Sequence, residues 1–383
     1  MDDLSRRDLM KASAGIVAGL AASALIPSRL EAAVHTASRG KAAARLRFAV
    51  IGVNHSHIYG QVDSVTRGGG ELVSFHAAEP DLRAAFAKRY PNAKSVADER
   101  AILEDPSIQL VLSSIIPNQR GPLGIRVMQH GKDYMSDKPG ITELDQLAEI
   151  RRVQASTKRI YSICYSERLE NRATVKAGEL VKAGAIGSVI QTVGLGPHRI
   201  NPPDRPEWFW DPKRYGGIIT DIASHQFDQF LFFTNSTKGE IVSSQVRNVR
   251  HPEHPDFQDF GDVMVRGNGG TGYIRCDWFT PAGLPTWGDG RLTILGTDGY
   301  IELRKYVDIG GQTGGNHLFL VDGKGVTRMP CNDTPLPYGT QLVDDVLNRT
   351  ETAMTQAHCF LATELALQAQ ANAKVLKAGE HPM

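Results

Sequence analysis

The stretch Leu46–Gly60, LRFAVIGVNHSHIYG, constrains this chain more than any other. Phe48, Ala49, Val50 and Ile51 form an unbroken apolar run, as expected of a strand covered on both faces in a parallel sheet. Gly52 follows at once, where a tight turn needs a residue without a side chain. A helix is predicted to start just beyond it. Strand, glycine turn and helix together open a nucleotide-binding α/β unit, in which the helix N-terminus receives a pyrophosphate. The usual G-x-G-x-x-G spacing is altered here. Asn54 stands at the second glycine, and His55-Ser56-His57 precede Ile58.

The unit then repeats. An apolar segment over 71–77 leads to a helix predicted from Pro80-Asp81 to Tyr90, and a short helix is predicted over 98–104. Gln109–Ile116, QLVLSSII, is the clearest buried strand. Pro117-Asn118 end it, and a helix is expected over 121–130. Residues 133–136 read as a strand, 142–155 as a helix, and 159–165 as the last strand of the series. Such alternation predicts a doubly wound parallel Rossmann sheet over 46–165, with its ligand at the carboxyl ends of the strands. Gly52, Glu79, Pro117-Asn118 and Asp137-Lys138 fall at or just past those ends.

The pattern changes after Ser166. A helix over 169–183 is followed by short strands over 189–194, 240–249, 261–266, 272–278, 291–296, 299–304 and 317–321. Asn268-Gly269-Gly270 and Thr297-Asp298-Gly299 are hairpin signals. Residues 166–351 are therefore expected to form an α+β domain with a large, mostly antiparallel sheet, serving substrate binding and oligomerisation. The Ala-, Leu- and Gln-rich segment over 352–378 is predicted to be an amphipathic helix, so 352–383 is expected to pack back on the body.

The N-terminus stands apart. Ser5-Arg6-Arg7-Asp8-Leu9-Met10-Lys11 precedes a small-residue apolar stretch over 12–26, the form of a twin-arginine export signal. Residues 1–33 are read as that leader and 34–45 as a flexible arm. The expected destination is the periplasm, reached through the twin-arginine export machinery, with no membrane segment in the mature form. The apolar run is too short and too rich in Ala and Gly for a comfortable span. A chain of 383 residues has room for roughly two domains. A net charge of +1 gives no electrostatic footprint for nucleic acid. Cys164, Cys276, Cys331 and Cys359 lie far apart, with neither a C-x-x-C pair nor zinc spacing, and are read as buried thiols.

Two constellations carry chemistry. Asp137-Lys138-Pro139-Gly140 puts a lysine directly after a sheet strand, where it can face a cofactor. Tyr215-Gly216-Gly217 is followed by Asp221, His225 and Asp228 in what reads as a helix. Residues four apart share a helical face, so Asp221 is expected to orient His225 and raise its pKa, as suits a general acid/base. Arg168, His198, Arg199, Trp208 and Trp210 lie before or near the glycine pair. Aromatic faces and guanidinium forks suit a polyhydroxyl ligand, although Trp208-Phe209-Trp210 equally fits a core or a subunit interface. His55 and His57 are expected to line the cofactor or substrate mouth. H-x-H after a strand also opens metal-dependent hydrolases built on barrels. The antiparallel second half argues against a barrel, so no metal is expected.

Taken together, Asp137-Lys138-Pro139 and G-G-x-x-x-D-x-x-x-H-x-x-D at Gly216–Asp228 resemble the Gfo/Idh/MocA family of sugar and polyol oxidoreductases, over roughly 45–379. Its twin-arginine-exported members with a retained cofactor are the most similar in form. The resemblance implies a tightly held NAD or NADP and a small-molecule carbohydrate substrate. It implies catalytic roles for Lys138, Asp221 and His225, and a cis Lys138-Pro139 peptide. Cofactor contacts are expected from Gly52, Asn54, His55, His57, Glu79, Pro117, Asn118 and Lys138. Substrate contacts are expected from Arg168, His198, Trp208, Asp221 and His225. A homo-oligomer, dimer or tetramer, is expected. Ala77 stands where the family has its ribose-binding acid, with Glu79 close by, and Gln119-Arg120-Gly121 lacks the family's histidine. Two other functions stay open: an NAD-assisted glycoside-cleaving enzyme working by transient oxidation and elimination, and a non-catalytic sugar-binding protein.

Overall fold

The structure is a computed structural model, and it describes residues 44–377. The expected leader and all but the last two residues of the expected arm lie outside them. The first part alternates strictly. The order is β1 (Leu46–Ile51), α1 (His57–Arg67), β2 (Gly70–His76), α2 (Pro80–Arg89), β3 (Lys94–Ser95), α3 (Arg100–Leu103), β4 (Leu110–Ser113), α4 (Pro117–Gln129), β5 (Asp133–Asp137), α5 (Leu144–Thr157) and β6 (Tyr161–Cys164). The six strands lie in the order β3-β2-β1-β4-β5-β6, all parallel. The order reverses at β1, which makes the crevice beyond β1 and β4 the place for a ligand. Every residue of β4, β5 and β6 is buried, as expected of strands covered by helices on both faces. Gly52 holds φ +80°, and a Cβ there would lie 2.5 Å from Ile115 Cβ. The turn therefore packs directly on the end of β4.

The second part begins with α6 (Ser166–Leu169) and α7 (Arg172–Lys182), then β7 (Val189–Pro197), α8 (Pro212–Tyr215), a π-helical turn (Ile219–Ala223) and α9 (Ser224–Thr234). The strands β8 (Gly239–Arg247), β9 (Phe260–Gly267), β10 (Gly270–Asp277), β11 (Arg291–Gly296), β12 (Gly299–Arg304), β13 (His317–Asp322) and β14 (Gly325–Pro330) follow. Then come α10 (Tyr338–Asn348), α11 (Gln356–Ala371) and β15 (Lys374–Leu376). The sheet order is β14-β13-β12-β11-β7-β10-β9-β8-β15, and only the β7–β10 and β8–β15 pairs are parallel.

Alternation divides this sheet into two faces. Thr192, Gly194, Ile274, Leu292, Ile294, Ile301, Leu303 and Leu318 turn inward and are buried. In register on the opposite face, Val193, Met264, Tyr273, Leu295, Tyr300, Phe319 and Val326 are half-buried or exposed. The cysteines are free and buried. Among the described residues no helix is long and apolar enough to cross a membrane.

Three differences from the sequence expectations are local. The C-terminal helix ends at Ala371, and the chain then adds β15 to the sheet edge beside β8. Helix α10, within the stretch expected to hold only the sheet domain, packs on α1 of the parallel half. A Cβ on Gly339 would meet the Ser64 carbonyl oxygen at 1.9 Å, so this glycine is a helix–helix contact rather than a turn. Strand β14 was not anticipated either.

Candidate functional site

The carboxyl ends of β1, β4, β5 and β6 face the second part across a cavity of about 400 Å³. His55, His57, Pro117 and Lys138 line it from the parallel half. His198, Trp208, Asp221, His225, Trp278 and Trp287 line it from the other. The Lys138–Pro139 peptide is cis, as the resemblance implies. Lys138 Nζ lies 2.9 Å from Asp221 Oδ1, and both groups are largely buried. The lysine just past β5 of the parallel sheet and the histidine from the second part thus share one space.

The carboxylate acting on His225 is not the expected one. Asp221 pairs with Lys138. His225 Nδ1 is buried without a hydrogen-bond partner. Burial lowers the imidazole pKa to about 4, against an opposing pull from Glu167. His225 is therefore neutral at pH 7 rather than poised near neutrality. Glu167 sits just past β6 and accepts hydrogen bonds from Lys305 Nζ at 2.6 Å and Gln226 Nε2 at 3.1 Å. Burial raises its pKa, but Lys305 and His225 outweigh that and hold it down to about 2. Its Oε1 has no hydrogen-bond partner. Lys305 also donates to Gln229 Oε1 at 2.6 Å. Neither Glu167 nor Lys305 was anticipated. Glu167 could have been found, because it falls at the end of a parallel strand. Lys305 carries no local signal.

Arg168 differs from expectation. Its guanidinium makes two 2.7 Å hydrogen bonds to Asp228, and His358 Nε2 reaches the same carboxylate at 2.8 Å. This buried cluster ties α6 to α9 and α11, and Arg168 does not line the cavity. A guanidinium so saturated by one carboxylate is not available to a sugar. Arg199 is at the cavity edge, but its NH2 group is spent on the carbonyls of Pro281, Leu284 and Thr286. Trp208 and His198 do line the cavity, and His198 packs against Trp278 and Trp287. Trp210 instead stacks on His254.

At the switch point, α1 starts with Ser56 at its N-cap and no side chain capping it. Asn54 Nδ2 donates to Glu79 Oε1 at 2.7 Å, bridging the loops after β1 and β2. Asn118 Oδ1 is buried without a partner. The uncapped helix start and this orphaned acceptor fit a dinucleotide laid along the edge, and Glu79, three residues past β2 at the N-cap of α2, is the acid nearest in sequence to the position that Ala77 holds. Asp137 lies beneath. Burial opposes its ionisation, yet His57, Arg120 and His55 hold its carboxyl far below the usual range. Arg120, fully buried, also donates to the carbonyls of Ile115, Lys138 and Pro139.

A parallel sheet with a topological switch, followed by a mostly antiparallel sheet across a Lys–Asp and His cavity, defines an α/β protein of Rossmann type. Comparison with known proteins narrows this. The description "GFO/IDH/MocA C-terminal domain" matches residues 174–302. A provisionally named oxidoreductase from Erwinia carotovora atroseptica SCRI1043 is 44% identical, with 87% of this chain and 100% of that one aligned and a TM-score of 0.85. This chain belongs to the Gfo/Idh/MocA family. Levoglucosan dehydrogenase in complex with NADH and levoglucosan shares the fold, at 15% identity and a TM-score of 0.70 over 85% of this chain and 97% of that one. The 1,5-anhydro-D-fructose reductase of Ensifer adhaerens is 25% identical over 185 residues. That match covers 48% of this chain and about half, 54%, of the reductase.

Proposed function

We propose that this protein is a nicotinamide-dependent oxidoreductase acting on a CH–OH group, or the matching carbonyl, of a sugar or polyol. The observation that carries the reading is the meeting of Lys138 and Asp221 with His225 in one cavity at the carboxyl edge of the parallel sheet. The sugar- and polyol-related names among its relatives support the substrate class. Gly52, the N-terminus of α1, Asn54 with Glu79, and Pro117-Asn118 are the residues that would hold the dinucleotide. When bound, it supplies the hydride chemistry.

The chain's own residues do the rest. Lys138, fixed by Asp221, donates a hydrogen bond to the reacting oxygen and favours negative charge there. His225, neutral at pH 7, takes the hydroxyl proton in oxidation and returns it in reduction. The faces of Trp208, Trp278 and Trp287 pack against the sugar and exclude water. The Glu79 carboxylate suits a ribose hydroxyl and repels a 2′-phosphate, which favours NAD over NADP.

The leader-like segment supports export by the twin-arginine route to the periplasm. A periplasmic enzyme has no ready pool of nicotinamide, so the cofactor would be carried across, retained and regenerated in place. The open face of the large sheet, where Met264, Tyr273, Leu295, Tyr300 and Phe319 stand among charged side chains, supports assembly into a homo-oligomer.

The decisive experiment is mass spectrometry of what leaves the denatured, tag-free protein purified without added cofactor. It is paired with absorbance in the reduced-nicotinamide band as a panel of free sugars and polyols is added. Bound NAD that becomes reduced supports the reading. A chain that holds no dinucleotide and gains no thermal stability from NAD or NADP refutes it. Aglycone release without net cofactor reduction would replace it with the glycoside-cleaving reading.

A further inference from the structure

We propose that His55, His57 and Asp137 form a site for a divalent first-row transition ion, such as zinc, at the edge of the cavity. This goes beyond the oxidoreductase reading, does not depend on it, and departs from the sequence expectation that no metal is held. Candidate ligand atoms of the three residues lie within 4.8 Å of one another. Among the described residues no other group of three His, Cys, Asp or Glu does so. His57 Nδ1 is 3.0 Å from Asp137 Oδ1, and His55 Nδ1 is 3.6 Å from Asp137 Oδ2. Ligands about 2.0–2.1 Å from a tetrahedral ion stand about 3.3 Å apart, so these separations bracket what an ion would impose.

Two further observations point to a ligand. Asp137 is 2% exposed, yet its Oδ2 has no hydrogen-bond partner. The nearest cation is an Arg120 nitrogen at 3.2 Å that is not aligned as a hydrogen bond. Arg120 is held in place by three backbone carbonyls, so it orients the carboxylate from behind, as supporting groups of metal ligands do. The histidine rings meet edge to face, 4.0 Å between centroids at 73°, and both present Nδ1 to the carboxylate. His55 Nδ1 accepts a long, 3.3 Å hydrogen bond from the His57 backbone N–H, which a bound ion would replace.

The side chains of His55 and His57 are 26% and 41% exposed, which leaves an entry path. Three protein ligands with positions left open mark a reactive metal site rather than a closed structural one. Both histidines line the same cavity as Lys138 and His225, so an oxygen of the bound small molecule can complete the shell. The nearby charge of Lys138 is already met by Asp221.

The test uses the full, tag-free chain, stripped with a chelator, dialysed and titrated with Co²⁺. One equivalent should bind with the intense visible band of four- or five-coordinate cobalt, and Zn²⁺ should displace it. His55→Ala and His57→Ala should each weaken binding at least about 100-fold, and the double variant should lose the band. His198→Ala, in the same cavity but outside the triad, should keep it. Zn²⁺ should raise the melting temperature of the wild type but not of the double variant, whose own melt confirms that it folds. No stoichiometric band in the wild type, or an undiminished band in the double variant, overturns the proposal.

Discussion

Replacing Lys305 by Met tests the electrostatics beneath the site. Lys305 and Glu167 are both buried and 2.6 Å apart. Met keeps most of the aliphatic volume and removes the charge, leaving Glu167 ionised in a dry environment with only Gln226 as donor. Removing one partner of a buried pair costs about 3–5 kcal/mol, because the charge left behind is uncompensated. Adding Glu167→Gln should restore most of the loss, since no buried charge then remains. The pH dependence separates this from a packing defect. With Lys305 present, the Glu167 pKa of about 2 lies below its ordinary 4.5. Its contribution is therefore full above pH 4.5 and is lost as the pH falls toward 2. Without Lys305 the carboxyl is raised above 4.5, so acid protonates it and the variant's deficit should shrink. Urea unfolding of wild type, both singles and the double variant, at neutral and mildly acid pH, gives all of these quantities. A single variant within about 1 kcal/mol of wild type, or a double variant worse than the single, would refute the argument.

Four further outcomes are expected. Lys138→Ala should lower kcat at least about 100-fold with little change in the far-ultraviolet spectrum, measured by steady-state kinetics on the substrate found above. The acid limb of kcat/KM should fall near pH 4 rather than near 6.5, because His225 must be neutral to accept a proton; an inflection near 6.5 would contradict this. Arg168→Met should destabilise the fold by about 3–5 kcal/mol in denaturant titrations while leaving KM unchanged, since Asp228 and not substrate is its partner. Gly52→Ala should lower the melting midpoint, because the positive φ and the 2.5 Å approach to Ile115 leave a methyl group nowhere to go.

The parallel half was legible because β1, β2, β4 and β6 each carry a short apolar run, which burial demands of them, whereas β3 is only the exposed pair Lys94-Ser95 and leaves no such trace. In the second half, β7 to β13 alternate visibly. Strand β14 has five of its six residues exposed and so carries no alternation to read. Strand β15 is three residues held by one parallel neighbour, a tertiary fact without a local signature. Helix α10 was hidden by Gly339, whose missing side chain serves the approach to α1. At the site, Lys138, Asp221 and His225 were found because a motif marks them. The spacing rule assigned the Asp221 carboxylate to His225, whereas the tertiary arrangement gives it to Lys138. Arg168 was chosen as a guanidinium fork suited to a polyhydroxyl ligand, and its neighbour Glu167 proved to be the residue facing the cavity.

The π-helical turn at Ile219–Ala223 has a consequence of its own. An ordinary helix would stack Asp221 over His225 and wire them together. Here one short segment serves two groups: Asp221 pairs with Lys138, while His225 lies unbonded in the field of Glu167 and Lys305. The hydroxyl clamp and the proton carrier therefore stay linked only through space, by the Lys138 charge that helps to lower the His225 pKa, and a descendant of this chain that moved that charge would retune both at once.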